Sequence, residues 1–418
     1  MTSPDSAKAN STSSPVFNHL TNWLTLRRIR SHATILAIGL WAVCAIDFAT
    51  PGLFDRAANI KFQDFLPFYI SARLVTQGRA VDLYNQQLIQ SEVEKIVGRP
   101  TQVRVPYLYG PQVALFFSPL SRFSFTTAVR IWAGLSLISF FACIYLLWRT
   151  CPNLAPYPGT VALCALAFPP LFHLFVRGQN SALVLACFTS AWFAFRAEHE
   201  WLAGVALGFL IFKPQFLVAI PLIFLLSRAW SPLLGLILSA AAQLALARAF
   251  FGPVVMNAYI DTMLHPSSWL QSAELTHADI QMHSLRAFWS SMIPWPQVSL
   301  VLYLLSAVAT VIIATLIWKS SLPLALRFSS LILAATLANP HLFIYDLLAL
   351  APALLLLADW TVANTRRIPA MPILIYLAFL LPLFGPISRS THLQLSVVAF
   401  AAILWRMLQQ TRRHVVQQ

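Results

Sequence analysis

Charge is what this sequence lacks most. Only 10% of its 418 residues are Asp, Glu, Lys or Arg, far below the roughly 25% of a soluble domain. That scarcity excludes an ordinary water-facing surface. Glycine is also scarce, at 13 residues, and none build a glycine-rich loop between a strand and a helix, so a nucleotide-phosphate cradle is not expected. The 5 cysteines lack paired spacing. Cys44, Cys143, Cys164 and Cys187 fall in apolar runs and Cys151 in a short connection, which argues against a zinc or disulfide framework and for packing roles. Acidic residues number 14 against 28 basic ones, a net charge of +14. The basic residues are scattered in ones and twos rather than gathered in a patch, so nucleic acid is not an expected partner.

What fills the chain instead is apolar: 58% of residues are hydrophobic, including 30 Phe and 13 Trp. Runs of about 17 to 25 apolar residues cross a hydrocarbon core of about 30 Å as helices. The sequence therefore predicts an all-α, polytopic membrane helical bundle. Spans are expected near 33–50, 126–148, 159–176, 181–195, 202–226 as a hairpin, 233–251, 298–318, 322–337, 342–357, 371–384 and 393–407, about twelve with the hairpin counted as two. Residues 31–410 form one domain on this reading, between a disordered cytoplasmic tail (1–30) and a short one (411–418). Arg27, Arg28 and Arg30 before the first apolar run fit a signal peptide or a retained span; retention is expected because the threading needs that helix.

Short loops rich in Lys and Arg tend to stay in the cytoplasm. Arg149, Arg196, Arg228, Lys319, Arg366, Arg367, Arg412 and Arg413 all fall on the side of the amino terminus. Two long polar stretches, 51–110 and 252–296, then face outward, and most of the acidic residues lie at or near that face. Within the first stretch, Phe65, Phe68, Tyr69, Ala72 and Val75 recur at helical spacing, predicting an amphipathic helix in the interface. Asp64 stands just before it, placed either to cap the helix or to take a proton from a hydroxyl group; the two roles are compatible. The run "GPQVALFFSPLSRF" is too short to span and is interrupted by Pro111 and Pro119, so it is expected to lie along the outer surface.

The residues "DFLPFYISARLVTQGRAVDLYN" resemble the first outer loop of the polyprenyl-phosphate-mannose-dependent glycosyltransferases of family 87, within the integral membrane GT-C class. The later run beginning "RGQNSALVL" and ending "KPQFLVAIPLIFLLSRAW" is similar to that family's central motif, and "NPHLFIYDLLAL" to a further pattern. The resemblance runs from about Asp64 to Leu350. Where the family shows a Tyr-Pro-Pro run, this chain has "YLYGPQVALFFSPL", one proline short. The resemblance implies a GT-C fold and inverting transfer of a sugar, mannose by family default, from a polyprenyl-phosphate donor to a lipid or glycan acceptor hydroxyl. It implies a multi-pass protein of the cytoplasmic membrane with its site facing outward, no cofactor, and Asp64 as the catalytic carboxylate. Asp47 and Asp55 are rivals by location only.

Inverting transfer needs a base for the hydroxyl proton and positive groups or N–H donors for the departing phosphate. Lys213, Arg177, His341 and Arg286 are the outer candidates for the phosphate, although each also suits a snorkelling or interfacial role. Lys213 lies between two short hairpin arms, where a lysine without an anionic partner is costly. Gln179, Asn180, Tyr69 and Gln215 are candidates for sugar or acceptor contacts, the two amides at a helix start also being common caps. Asp346 begins an apolar run and is expected to be hydrogen-bonded and structural. His277, His283 and Asp279 match no strong ligand spacing, so no metal is expected. The main alternative is a transporter or lipid-linked sugar flippase, which would place its ionisable residues near the midplane; a scaffold subunit is a third.

Overall fold

A computed structural model describes residues 24–101, 103–265, 281–364, 368 and 370–416, with side chains as far as Thr411. The described chain is helical, without a strand, and carries two isolated β-bridges, Phe54 to Ile60 and Met282 to Phe343. From the amino end, α1 (Leu26–Ala49) leads through the first loop to α2 (Leu66–Thr76), α3 (Gln86–Val97) and α4 (Pro111–Phe117). Then follow α5 (Phe125–Trp148), α6 (Pro158–Leu166), α7 (Pro169–Arg177), α8 (Ser181–Arg196), α9 (Glu200–Gly208), α10 (Ile220–Ser227) and α11 (Trp230–Leu264). The second half holds α12 (Leu285–Met292), α13 (Pro296–Trp318), α14 (Leu324–Leu337), α15 (Ala351–Asn364), α16 (Met371–Leu380), α17 (Gly385–Thr391) and α18 (Leu395–Val416).

The expected count of about twelve spans is not reached by length. Among the described residues, five helices are long and apolar enough to cross a membrane: α1, α5, α11, α13, and Ile344–Asn364, in which a 3-10 turn runs into α15. The number rises to 7 if α6 with α7, bent by 45°, and 371–383 with α17, bent by 83°, each count as one. Proline explains much of the shortfall, because its missing N–H and rigid ring interrupt a helix. Pro169 begins α7 where the sequence predicted one continuous helix. Five further apolar helices have only 10–17 residues, under the about 20 that a straight span needs. Thr25 caps α1 by accepting from the Arg28 N–H, so the helix begins inside the stretch expected as a tail; residues 1–23 lie outside the described ones.

Lys213 sits between two 3-10 turns, Phe209–Phe212 and Pro214–Leu217. Both arms pack on α11, α9 with α8 on its other side and α10 with α13 and α14. Gly204 and Gly208 let α9 and α11 meet backbone to backbone, since a Cβ at Gly204 would stand 2.0 Å from the Pro232 carbonyl oxygen. Small residues four apart are the usual means of such close approach in membranes. Phe195 and Phe224 rings lie 6.2 Å apart, so the α10 arm returns to the end of the bundle where α8 finishes.

The helix predicted to float in the interface is buried instead. From Leu66 to Leu74 every residue of α2 except Arg73 is buried, because α2 packs on α4 and on the turn Ser118–Arg122. Phe65, Phe68, Phe117 and Trp132 form the centre of this second core. The run from Pro111 forms a short helix with one face packed and Leu115 and Phe116 exposed on the other.

Candidate active site

Asp64 lies in a 3-10 turn, Gln63–Phe65, directly before α2. The expected capping role is not found: Phe65 occupies the cap position, no side chain bonds there, and Pro67 occupies the first turn. The Asp64 carboxylate instead accepts a hydrogen bond at Oδ2 from Gln179 Nε2 at 3.1 Å. Its Oδ1 has no hydrogen-bond partner among the described residues. Burial pushes the carboxyl above its ordinary 3.8, against the opposing effects of Arg177, the Gln179 bond and Lys213.

Local backbone geometry makes this meeting possible. Phe62 has φ 55°, a left-handed conformation uncommon outside glycine, and its N–H donates to the Val176 carbonyl at 3.2 Å. Gly178 also has positive φ, 73°, at the end of α7. A Cβ on Gly178 would stand 2.9 Å from Phe65 Cβ and 3.3 Å from Phe62 Cβ, so the first loop docks against the α7–α8 junction only because that junction is glycine. Gln179, the next residue, is thereby aimed at Asp64.

Around Gln179 the site grows. Its carbonyl accepts from Trp132 Nε1 at 3.1 Å, and its Oε1 accepts from the Asn180 N–H at 3.3 Å and distantly from the Tyr109 hydroxyl at 3.5 Å. Asn180 is fully buried, yet neither side-chain amide atom has a partner among the described residues. An unpaired buried amide costs about 1–3 kcal/mol, so a polar ligand or water at Asn180 would be stabilising. The Ser181 hydroxyl, at the start of α8, donates to Asp346 Oδ1 at 2.7 Å.

Lys213 has an anionic partner inside the chain. Its Nζ lies 2.5 Å from Asp346 Oδ1 and 3.0 Å from Ser181 Oγ, and 5.4 Å from the centre of the Tyr345 ring. Asp346 is indeed hydrogen-bonded to loop backbone, its Oδ2 accepting from the Phe343 N–H at 3.4 Å, but its principal partner is Lys213.

The remaining candidates divide. Arg177, half-buried, interacts electrostatically with Asp64, and its guanidinium reaches Gln281 Oε1 at 3.5 Å. The β-bridge of Met282 to Phe343 and the His283 N–H bond to the Leu342 carbonyl bring His341 and Arg286 to the same end. The His341 ring packs edge-on against Phe343, 4.8 Å away, and its backbone N–H donates to Asn339 Oδ1 at 2.9 Å. Burial holds its imidazole below the ordinary 6.5, with Asp346 opposing and Arg286 and Lys213 reinforcing that shift. Arg286 is exposed. Gln215 is half-buried beside Lys213, with no hydrogen bond to any described residue.

Tyr69 packs within the second core. Its hydroxyl donates to the Phe123 carbonyl at 2.7 Å and its ring packs on Phe125, so it serves the second core. Asp55 is committed to its own turn, accepting from the Ala57 and Asn59 N–H groups at 2.8 Å each. Asp47 is half-buried on the last turn of α1, near Cys44. His277 and Asp279 lie outside the described residues; His283 Nδ1 contacts Ser396 Oγ at 2.8 Å.

Sequence reasoning missed Tyr109 and Ser181 as neighbours of the carboxylates, and no spacing announced them. It named the costs of an isolated Lys213 and an isolated Asp346 separately; each cost was the signal for the other residue.

No curated protein and no solved structure matches the chain. One family model does, described as Glycosyltransferase family 87, over residues 107–340. The matched stretch holds Tyr109, Gln179, Asn180, Ser181 and Lys213, while Asp64 and Asp346 join the cluster from either side of it. That stretch is more than half of the sequence, and the chain belongs to glycosyltransferase family 87.

Proposed function

We propose that this glycosyltransferase transfers a sugar, with inversion, from a polyprenyl-phosphate carrier to an acceptor hydroxyl, and that Asp64 is the general base. The observation that carries the reading is the Asp64 carboxylate itself, oriented at one oxygen by Gln179 and without a hydrogen-bond partner at the other. A raised carboxyl suits a base, because the ideal catalytic pKa lies nearer the working pH than an exposed carboxylate does.

The acceptor oxygen attacks the anomeric carbon from the face opposite the phosphate and a new C–O bond forms. Its proton passes to the open oxygen of Asp64. The bond from the anomeric carbon to the phosphate oxygen breaks, and its electron pair leaves with the polyprenyl phosphate. Arg177, His341 and Arg286 are assigned to the developing negative charge, where fixed positive groups and N–H donors are most effective. Asn180, with an unsatisfied buried amide, and Gln215 are assigned to sugar or acceptor hydroxyls. Mannose is the proposed sugar, and the outer face of the cytoplasmic membrane the proposed location. Family membership favours this reading over a transporter.

The test is release of free polyprenyl phosphate from labelled polyprenyl-phosphate mannose by the purified protein and by Asp64→Asn. Asparagine keeps an oxygen for Gln179 but cannot accept the proton. Acceptor-dependent release is expected from the unaltered protein and a loss of about a hundred- to ten-thousand-fold in the variant. Equal release by both would remove Asp64 from the base role.

A further inference from the structure

Lys213 and Asp346 form an ion pair whose side chains are only 2% and 3% exposed. Such a pair is a poor device for stability alone, because removing two charges from water costs several kcal/mol per ion and an apolar pair of similar volume is often as stable. Its placement explains more. The pair joins three distant stretches: the tip between α9 and α10, the start of the turn Ile344–Leu350, and, through Ser181, the first residue of α8. Two residues before Ser181, Gln179 holds the Asp64 carboxylate.

The charged and titratable groups facing Asp64 come from every element around it. Arg177 stands at the end of α7, Lys213 at the hairpin tip, Asp346 on the turn Ile344–Leu350, and the phenols of Tyr109 and Tyr345 beside them. Lys213 and Asp346 act on Asp64 with opposite sign.

We propose that Lys213 and Asp346 are positioning residues for Asp64: they pin the turn that carries Gln179, and they present the carboxylate with two opposed charges, so that neither charge alone governs its protonation. This deepens the reading of Asp64 as base and rests on it for its catalytic meaning. The electrostatic claim itself can be examined without turnover.

The experiment is a carboxyl 13C titration of the full chain in detergent micelles, labelled at Asp, with the Asp64 signal identified as the one absent from Asp64→Asn. Four proteins are compared: unaltered, Lys213→Met, Asp346→Asn, and the double variant. Lys213→Met leaves a bare carboxylate and should raise the Asp64 midpoint by about one pH unit or more; Asp346→Asn leaves a bare ammonium and should lower it by a similar amount. The double variant should titrate close to the unaltered protein. Single variants that move together, or not at all, would overturn the proposal, since loosened packing has no reason to give opposite signs. If a single variant does not fold, the double variant decides: a midpoint displaced by about a full unit overturns the pairing. The expected pattern without any glycosyl transfer would sink the functional reading alone.

Discussion

Burial raises the Asp64 carboxyl above its ordinary 3.8, so the folded chain holds that proton more tightly than the unfolded chain does. Stability from this group is therefore present below the ordinary value and falls as pH rises through the window between 3.8 and the raised value. Asp64→Asn should accordingly unfold at a higher temperature than the unaltered protein at pH 7, with the difference disappearing toward pH 3. Thermal unfolding in detergent at the two pH values checks this, and a variant less stable at pH 7 would contradict the sign. At the same scale, the candidate carboxylate was legible because it stood in a motif-like stretch beside aromatics. Tyr109 and Ser181 were not, because an ordinary tyrosine and an ordinary serine acquire meaning only from partners at Gln179 and at Asp346.

Close approach of elements also places these residues. The 62–65 turn seats on the α7–α8 junction across Gly178, where a side chain would have both an unfavourable φ and a clash with Phe65. Gly178→Ala should lower transfer activity on the order of a hundredfold, the scale of a misplacement near 1 Å. Its unfolding free energy should fall by only about 1–2 kcal/mol, the cost of a left-handed alanine. Measuring turnover and thermal unfolding on the same preparation separates the two effects; equal activity would show that the turn tolerates displacement. Helical character was plain in the sequence from apolar length. Whether α2 lay in the interface was not, because Phe68, Tyr69 and Ile70 are equally suited to lipid or to a protein core, and only the packing of α4 and the turn Ser118–Arg122 decides between them.

At the scale of the molecule, α8 runs 16 residues from Ser181 beside the carboxylates to Arg196 at the far end, about 24 Å at 1.5 Å per residue. Exposed positions on the 51–59 loop and after Arg196 should therefore face opposite sides of the membrane. The five native cysteines are buried or half-buried, which leaves a quiet background for Ala57→Cys and Ala197→Cys. A membrane-impermeant maleimide should label the first in vesicles of one orientation and the second in vesicles of the other. Labelling of both from one side would overturn the threading. The basic loops supply the sequence's expectation for that orientation; the number of full crossings was not legible there, since bends at positions such as Pro169 and the 3-10 turns around Lys213 divide apolar runs that read as continuous.

The ion pair also bears on how the chain is made. Asp346 lies 133 residues after Lys213; at synthesis rates of about 5–20 residues per second, the lysine emerges roughly ten seconds before its counter-charge exists. A buried lysine without a partner is costly, so the hairpin bearing it should be less stable while only the first half of the chain has left the ribosome. A chain truncated before residue 346 carries every residue of the Asp64–Gln179 contact yet lacks the counter-charge of Lys213.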